Sequence, residues 1–357
     1  MIELEHHIGQ ATLTQGAAVH PSGEYLYAAG ANILSASLDS QSKQRLCRSI
    51  HNSPVSCLTV SPTGRYVASA QSGEEANVYV WDYVTEEVLY TLEEHDNCVE
   101  AVAFSHDERI LATLGGQGDC KLILWDMSNG MIVSSNARMP DDTVCLAHGG
   151  FVRDVKRRDT HKYLLSTAGK GGVRIWELDP FSGQLESFPA LAEARGTTSR
   201  QVTSISFAHD RDKLFAATTT GDFLVVNVKT RKVIGSVVVA KAKAALLAIL
   251  AYRYGLVVSC ADCSLKVYDN NCEYRWAVSL PHVGISLSPS ANYADLLVMT
   301  QSGTALRVNL LAPNSAAVVL AESHTASITA VAWSDELVDK FATASHDGTI
   351  KCATFTN

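Results

Sequence analysis

The chain has 357 residues, 46% of them hydrophobic, so it can bury a large core. Its net charge of −8 argues against a general nucleic-acid binder, which needs a basic face to displace counterions, and gives no pull toward acidic membranes. There is no run of about 18 apolar residues to cross a membrane, the opening MIELEHHIGQ lacks the basic-then-apolar order of a signal peptide, and nine scattered cysteines without framework spacing point to a reducing compartment.

In chain order, Ile2 to Ile8 reads as a lone strand before any complete unit. Eight strand-turn-strand units follow. The first, Gly16 to Leu38, turns at Pro21-Ser22-Gly23, and the second, Pro54 to Asp82, turns at Ser61-Pro62-Thr63-Gly64. The third ends at Asp126, the fourth at Glu177, the fifth at Val228, the sixth at Asp269, the seventh at Asn309 and the eighth at Phe355. Runs of Val, Ile, Ala and Leu bounded by Gly, Pro, Ser or Asp read as buried strands between turns. Weaker outer strands are expected between units, as at Glu86 to Glu94 and Lys232 to Ala240. The longest interruption, Asp179 to Arg200, reads as a loop plus an outer strand, and Lys241 to Leu250 as a connection plus a strand rather than a helix.

One stretch recurs in these units: KLILWD (Lys121 to Asp126), NVYVWD (Asn77 to Asp82), VRIWEL (Val173 to Leu178) and LKVYDN (Leu265 to Asn270). Trp81, Trp125 and Trp176 are 44 and 51 residues apart. A period of about 40–45 residues, four short strands and a Trp-Asp signature mark the WD-repeat β-propeller. The expected fold is therefore all-β, with eight blades and with Ile2 to Ile8 completing the last one. Joining the first and last segments would remove exposed sheet edges. The alternative is seven blades, the eighth unit belonging to a further propeller.

Well-formed units of this kind carry a buried Asp whose oxygens must be satisfied by an imidazole and backbone N–H groups. His95, Thr113, Asp119 and Trp125 fit that set. His324, Thr343 and Asp347 fit it too, with Ala353 where the Trp belongs, while Asp262 and Tyr268 hold its Asp and Trp positions in the sixth unit. All are read as structural. Cys260 and Cys263 have metal-ligand spacing, but no second pair follows, so they read as turn cysteines and no metal is expected. Lys156, Arg157 and Arg158, with His161 and Lys162 nearby, lie in the turn between the first two strands of the fourth unit. They are a solvated turn or a contact for an acidic partner. The default partner surface is the set of turns before third strands, near Gly73 to Asn77, Gly115 to Asp119 and Thr218 to Asp222. No phosphate-binding, dinucleotide, nucleophile-elbow or metalloprotease motif is present, so no enzyme, cofactor or small-molecule substrate is expected.

Beyond the repeat, the chain resembles the N-terminal half of the cilia- and flagella-associated protein 52 family. The resemblance lies in IGQATLTQGAAVHPSGEYLY at the start, NVYVWDY (Asn77 to Tyr83), EAVAFSHDERILATLGG (Glu100 to Gly116), TAGKGGVRIWELD (Thr167 to Asp179) and TTTGDFLVVNVKT (Thr218 to Thr230). The last is telling, because Thr218 to Asp222 followed by Asn227 looks like that family's own degenerate unit. The resemblance implies a non-enzymatic structural protein of the cytoskeleton, in the axoneme of motile cilia or flagella. It implies binding to tubulin in the lumen of the doublet microtubule, with other axonemal proteins as partners. That family normally carries a second propeller, so residues 1–357, read as one propeller domain, are either the N-terminal half of a double-propeller parent or belong to a shorter one. The competing reading is a general WD-repeat scaffold that recognises peptides or serves a ubiquitin ligase.

Overall fold

The computed structural model describes residues 13–39, 44–48, 50–140, 142–190, 200–239, 244–313, 315–324, 326–334 and 340–354. Among them every regular element is a β-strand, and the eight units of the sequence are eight separate antiparallel sheets. Seven have four strands paired in chain order: residues 17–48, 55–92, 99–136, 143–189, 202–238, 246–279 and 284–322, called blades 1 to 7. The eighth, 328–354, has three. The segment Asp179 to Arg200 supplies the outer strand Gln184–Pro189, and Lys241 to Leu250 runs into the inner strand Leu246–Tyr252.

Composition explains each strand's place. The second strand of blade 3, Ile110–Gly115, is apolar apart from Thr113 and buried along its whole length, as a continuous apolar run demands. Fourth strands such as Val88–Leu92 and Gln184–Pro189 are mostly half-exposed or exposed, because they form the outer edge of their sheets. Inner strands carry a register shift near their start in blades 2 to 7. The extra residue of such a bulge points away from its own ladder. In blade 2 it is Ser56, whose hydroxyl donates to Val99 O at 2.7 Å, and in blade 5 it is Thr203, which donates to Leu246 O at 2.6 Å. Each bulged hydroxyl thus ties one blade to the first residues of the next.

The packing fixes how many blades close the ring. Seven apolar clusters lie among the described residues, and each spans two neighbouring blades. One of them joins Tyr25, Tyr27 and Leu34 of blade 1 to Leu297, Met299 and Ala305 of blade 7. Val19 N donates to Ser288 Oγ at 2.9 Å across the same seam, and Arg307 reaches Leu38 O at 3.0 Å and Asp39 at 2.9 Å. Blades 1 and 7 therefore meet directly, and the ring has seven blades rather than eight. The reason is geometric: blade 1 already has its own four strands, so its inner strand is free to pack on blade 7. Ile2 to Ile8, the strand expected to close the ring, lies outside the described residues.

The eighth sheet contributes to none of the seven clusters. Its first strand, Ile328–Trp333, is exposed at all six residues, and Trp333 is 59% exposed. The inter-blade clusters thus link blade 1 through to blade 7, and none of them includes residues 328–354.

Candidate functional site

The predicted hydrogen-bonded set meets in blade 3. His95 Nδ1 lies 2.6 Å from Asp119 Oδ2, His95 Nε2 lies 2.8 Å from Thr113 Oγ1, and Trp125 donates its indole N–H to that hydroxyl at 3.0 Å. Asp96 N donates to the other Asp119 oxygen at 3.0 Å. Burial raises the Asp119 carboxyl, but the His95 and Asp96 hydrogen bonds, with Lys121 nearby, outweigh it and hold the group below the usual carboxylate range. Every polar side-chain atom of the set is hydrogen-bonded within the blade or to the connection from blade 2, so the set positions a turn.

The eighth sheet repeats the arrangement: His324 lies 3.0 Å from Asp347 and 2.8 Å from Thr343. Backbone register there pairs Ala353 with Phe341, as Trp125 pairs with Leu111 in blade 3. In blade 6 the two predicted residues do separate things. Asp262 holds its own turn by accepting from Ser264 N at 3.0 Å, while Tyr268 fills the core against Phe223, ring centroids 5.5 Å apart. Cys260 is buried at the end of its strand, Cys263 sits on the turn at φ 61°, and all nine cysteines are free thiols.

Sequence reasoning missed a third set in blade 2. His51 Nε2 lies 2.8 Å from Ser69 Oγ, which also accepts the Trp81 indole N–H at 3.4 Å. The signal was present in the spacing, since His51 to Ser69 to Trp81 repeats the 18- and 12-residue steps of His95 to Thr113 to Trp125. Blade 5 keeps a remnant: Asp222 Oδ1 takes both Thr218 and Thr220 hydroxyls at 2.6 Å, and Arg200 sits 3.4 Å from its other oxygen.

The basic turn stands in a different setting. Blade 4 opens with two long strands, Thr143–Arg153 and Asp159–Gly169, each of 11 residues where other blades use about half that. Their tip bends onto blade 5. Arg153 donates to Asp210 O at 2.7 Å and pairs with Asp159 and Asp212, while Arg211 pairs with Asp159 at 3.1 Å. Within the tip, Asp154 Oδ1 accepts from Lys156 N at 2.7 Å and from Arg158 N at 2.9 Å. These bonds, first among them those from Arg158, hold the Asp154 carboxyl below its usual range. They also fix Arg157 in the left-handed region at φ 62°, which an L-residue adopts only when its surroundings impose it. Lys156, Arg157 and Arg158 are all exposed.

Between this tip and blade 5 lies a cavity of about 390 Å³, lined by the apolar Phe151, Val152, Leu164 and Val228, by the basic Arg153, Arg157, Arg211, Lys229 and Arg231, and by the acidic Asp154, Glu177 and Asp212. In an antiparallel blade, turns after first and third strands share one end, so this groove opens on the face opposite the default turns near 73–77, 115–119 and 218–222. The central channel is the other notable space, about 180 Å³. Gln15 enters it, with its carbonyl accepting from Leu58 N at 2.8 Å and its side chain from Val102 N at 3.1 Å. Wall hydroxyls of the channel are also engaged, as Ser204 accepts from Ile249 N at 3.2 Å. The groove, not the channel, has charged groups facing solvent.

Comparison with known proteins agrees with this architecture. Residues 42–82, 86–126 and 318–352 match the family described as WD domain, G-beta repeat. Two solved structures, the WD40 repeats of RRP9 and U3-55K, superpose with a TM-score of 0.65 each, over 84% of this chain and 89% and 90% of theirs, at 15% and 14% identity. The fold is a β-propeller, with three stretches that match WD repeats. The propeller is also similar in sequence to proteins named cilia- and flagella-associated protein 52. Identity is 32% over 235 residues with that of Sus scrofa, covering 64% of this chain and 36% of the relative. With that of Chlamydomonas reinhardtii it is 30% over 218 residues, covering 60% and 33%. The propeller thus spans about a third of the length of the curated relatives it matches.

Proposed function

We infer that this propeller is a structural component of motile cilia or flagella that binds tubulin in the doublet microtubule and braces its wall. The observation carrying this reading is the likeness to cilia- and flagella-associated protein 52, whose aligned 235 residues exceed the three stretches that match the repeat itself. The reading has the ring act by binding rather than by chemistry, in keeping with His–Asp pairs consumed by their own hydrogen bonds. A rigid ring with many short turns suits a lattice, because several weak contacts to neighbouring sites add through effective concentration. A net charge of −8 supplies no long-range steering toward acidic tubulin, so contact must rest on local basic patches such as the turn at Lys156, Arg157 and Arg158. In the same reading, the eighth sheet is the first blade of a second ring in a longer parent.

The test is to tag the protein in a flagellated cell and extract axonemes with detergent and high salt. Retention on the washed doublets is the expected result. Signal confined to the soluble cytoplasm would end the reading in favour of a general interaction scaffold.

A further inference from the structure

We propose that the groove between blades 4 and 5 is a slot for a short, extended acidic peptide of a partner protein. The proposal rests on the reading of the ring as a protein-binding platform, and not on that partner being tubulin. Charge is the first observation. Five cations, Arg153, Arg157, Arg211, Lys229 and Arg231, line the groove against three acids, Asp154, Glu177 and Asp212, and Lys156 and Arg158 stand exposed in the same tip. That is a concentrated positive surface on a chain of net charge −8.

The cations divide into two kinds. Arg211 and Arg153 are locked to Asp159 at 3.1 and 3.3 Å, and Arg231 is locked to Glu177 at 2.6 Å with its guanidinium 3.2 Å over the Phe188 ring. These hold the groove together. Arg157 is different: its side chain is 78% exposed, and its contact to Asp212 is long, 3.6 Å, on an oxygen pair that Arg153 shares. Charge-assisted pairs of good geometry are nearer 2.7–2.9 Å. A ligand carboxylate that approaches Arg157 in the two-pronged manner guanidinium favours therefore displaces a weak internal pair rather than a strong one. Lys229, exposed on the blade 5 turn, offers a second cation from the neighbouring blade, near Asp154.

The shape selects a peptide over a point anion. The lining cations come from two blades, Arg157 and Lys229 among them are exposed, and Phe151, Val152, Leu164 and Val228 add apolar lining. An extended chain with carboxylates flanking an apolar side chain meets all three features. The left-handed, Asp154-braced backbone at Arg157 presents that side chain from an ordered turn, so the loop itself need not be ordered on binding.

Fluorescence anisotropy with the full chain tests this. The probe is a labelled peptide of glutamates flanking one phenylalanine, with the lysine version of the same peptide as counterpart. The glutamate peptide binds and the lysine peptide does not, and added salt weakens the binding. Arg157→Glu combined with Lys229→Glu weakens it by about tenfold or more, equivalent to about 1.4 kcal/mol. Arg138→Glu with Lys170→Glu, exposed cations outside the groove, changes it less than about twofold on the same scale. Equal binding by wild type and the groove variant, with an unchanged melting curve, overturns the proposal. So does displacement of the peptide by inorganic phosphate at matching concentrations, which would mean a simple anion site. Wild-type peptide binding together with failure to remain on washed axonemes upholds the slot while removing the axonemal reading.

Discussion

His95 Nδ1 lies 2.6 Å from Asp119 Oδ2, and neither side chain reaches solvent. The contact ends a directed chain. The Trp125 indole donates to the Thr113 oxygen, the Thr113 hydroxyl faces His95 Nε2, and His95 faces Asp119, which also receives the Asp96 N–H. The chain links the third strand of blade 3 to its second strand and to the connection from blade 2. Trp125 in turn packs among Val80, Leu92 and Phe104, so the same residues seal the interface of the two blades.

Deleting either end should therefore cost stability. Trp125→Ala removes a buried aromatic and is expected to destabilise by about 3–5 kcal/mol. Asp119→Ala strands the His95 and Asp96 donors and is expected to cost about 1–3 kcal/mol. Paired with His95→Ala in a double-mutant cycle, its effect should be clearly less than additive. Urea unfolding of the four proteins measures this, and simple additivity would mean the two side chains do not act as a unit.

Gly115 is confined by the same pair. A Cβ built on it would fall 1.7 Å from Asp119 Oδ2 and 3.0 Å from His95 Nδ1. Gly115→Ala must push the carboxylate off its histidine, and a cost of about 1–3 kcal/mol is expected for such overpacking. Gly235→Ala on the outer strand of blade 5, where a Cβ meets nothing within 4 Å, is the matched control and should leave the melting midpoint nearly unchanged.

The strands and turns of this ring were legible because they are local. Trp81, Trp125 and Trp176 announce third strands, and turns such as Pro21-Ser22-Gly23 punctuate each unit. What escaped was set by contacts between distant units. Val19 and Ser288 are 269 positions apart, and nothing in either neighbourhood says that blade 1 packs on blade 7 rather than on an eighth blade. The groove escaped for the same reason, since Arg157 belongs to one unit and Arg211 and Lys229 to the next. The set at His51 was overlooked because Gln71 Oε1, not an Asp, faces its Nδ1, at 3.3 Å, and broke the expected pattern.

Two histidines predict how stability changes with pH. Burial pushes the His51 imidazole down to about 4, with Gln71 offsetting a little. Burial, aided by His106 and opposed by Asp107, pushes His148 to about 3, and neither of its ring nitrogens has a hydrogen-bond partner among the described residues. In the unfolded chain both sit near 6.5, so between about pH 6.5 and 4 the unfolded state binds protons that the folded state refuses. Stability must then fall as pH drops through that window, by up to about 2 kcal/mol per histidine between pH 6.5 and 5. Unfolding midpoints at pH 7 and pH 5 read this directly. His51→Gln should shrink the difference, and an undiminished difference would show that another group sets it.

The last expectation concerns the seam and the sheet beside it. Leu297 and Met299 of blade 7 are buried against Tyr25 and Tyr27 of blade 1, and this cluster closes the ring. Leu297→Ala should cost about 2–5 kcal/mol, as buried large-to-small changes do. Trp333, in contrast, touches Phe341 of its own sheet at 5.2 Å between ring centroids and belongs to no inter-blade cluster. Trp333→Ala should therefore leave ring unfolding within about 0.5 kcal/mol of the parent, the range for surface changes. A shortened chain ending at Ser323, which keeps the Ser323 N to Gly303 O bond of 2.9 Å, should melt with the ring's full cooperativity. Were that chain to unfold at a much lower temperature, or the Trp333 change to cost as much as Leu297→Ala, the eighth sheet would have to be part of what closes the ring.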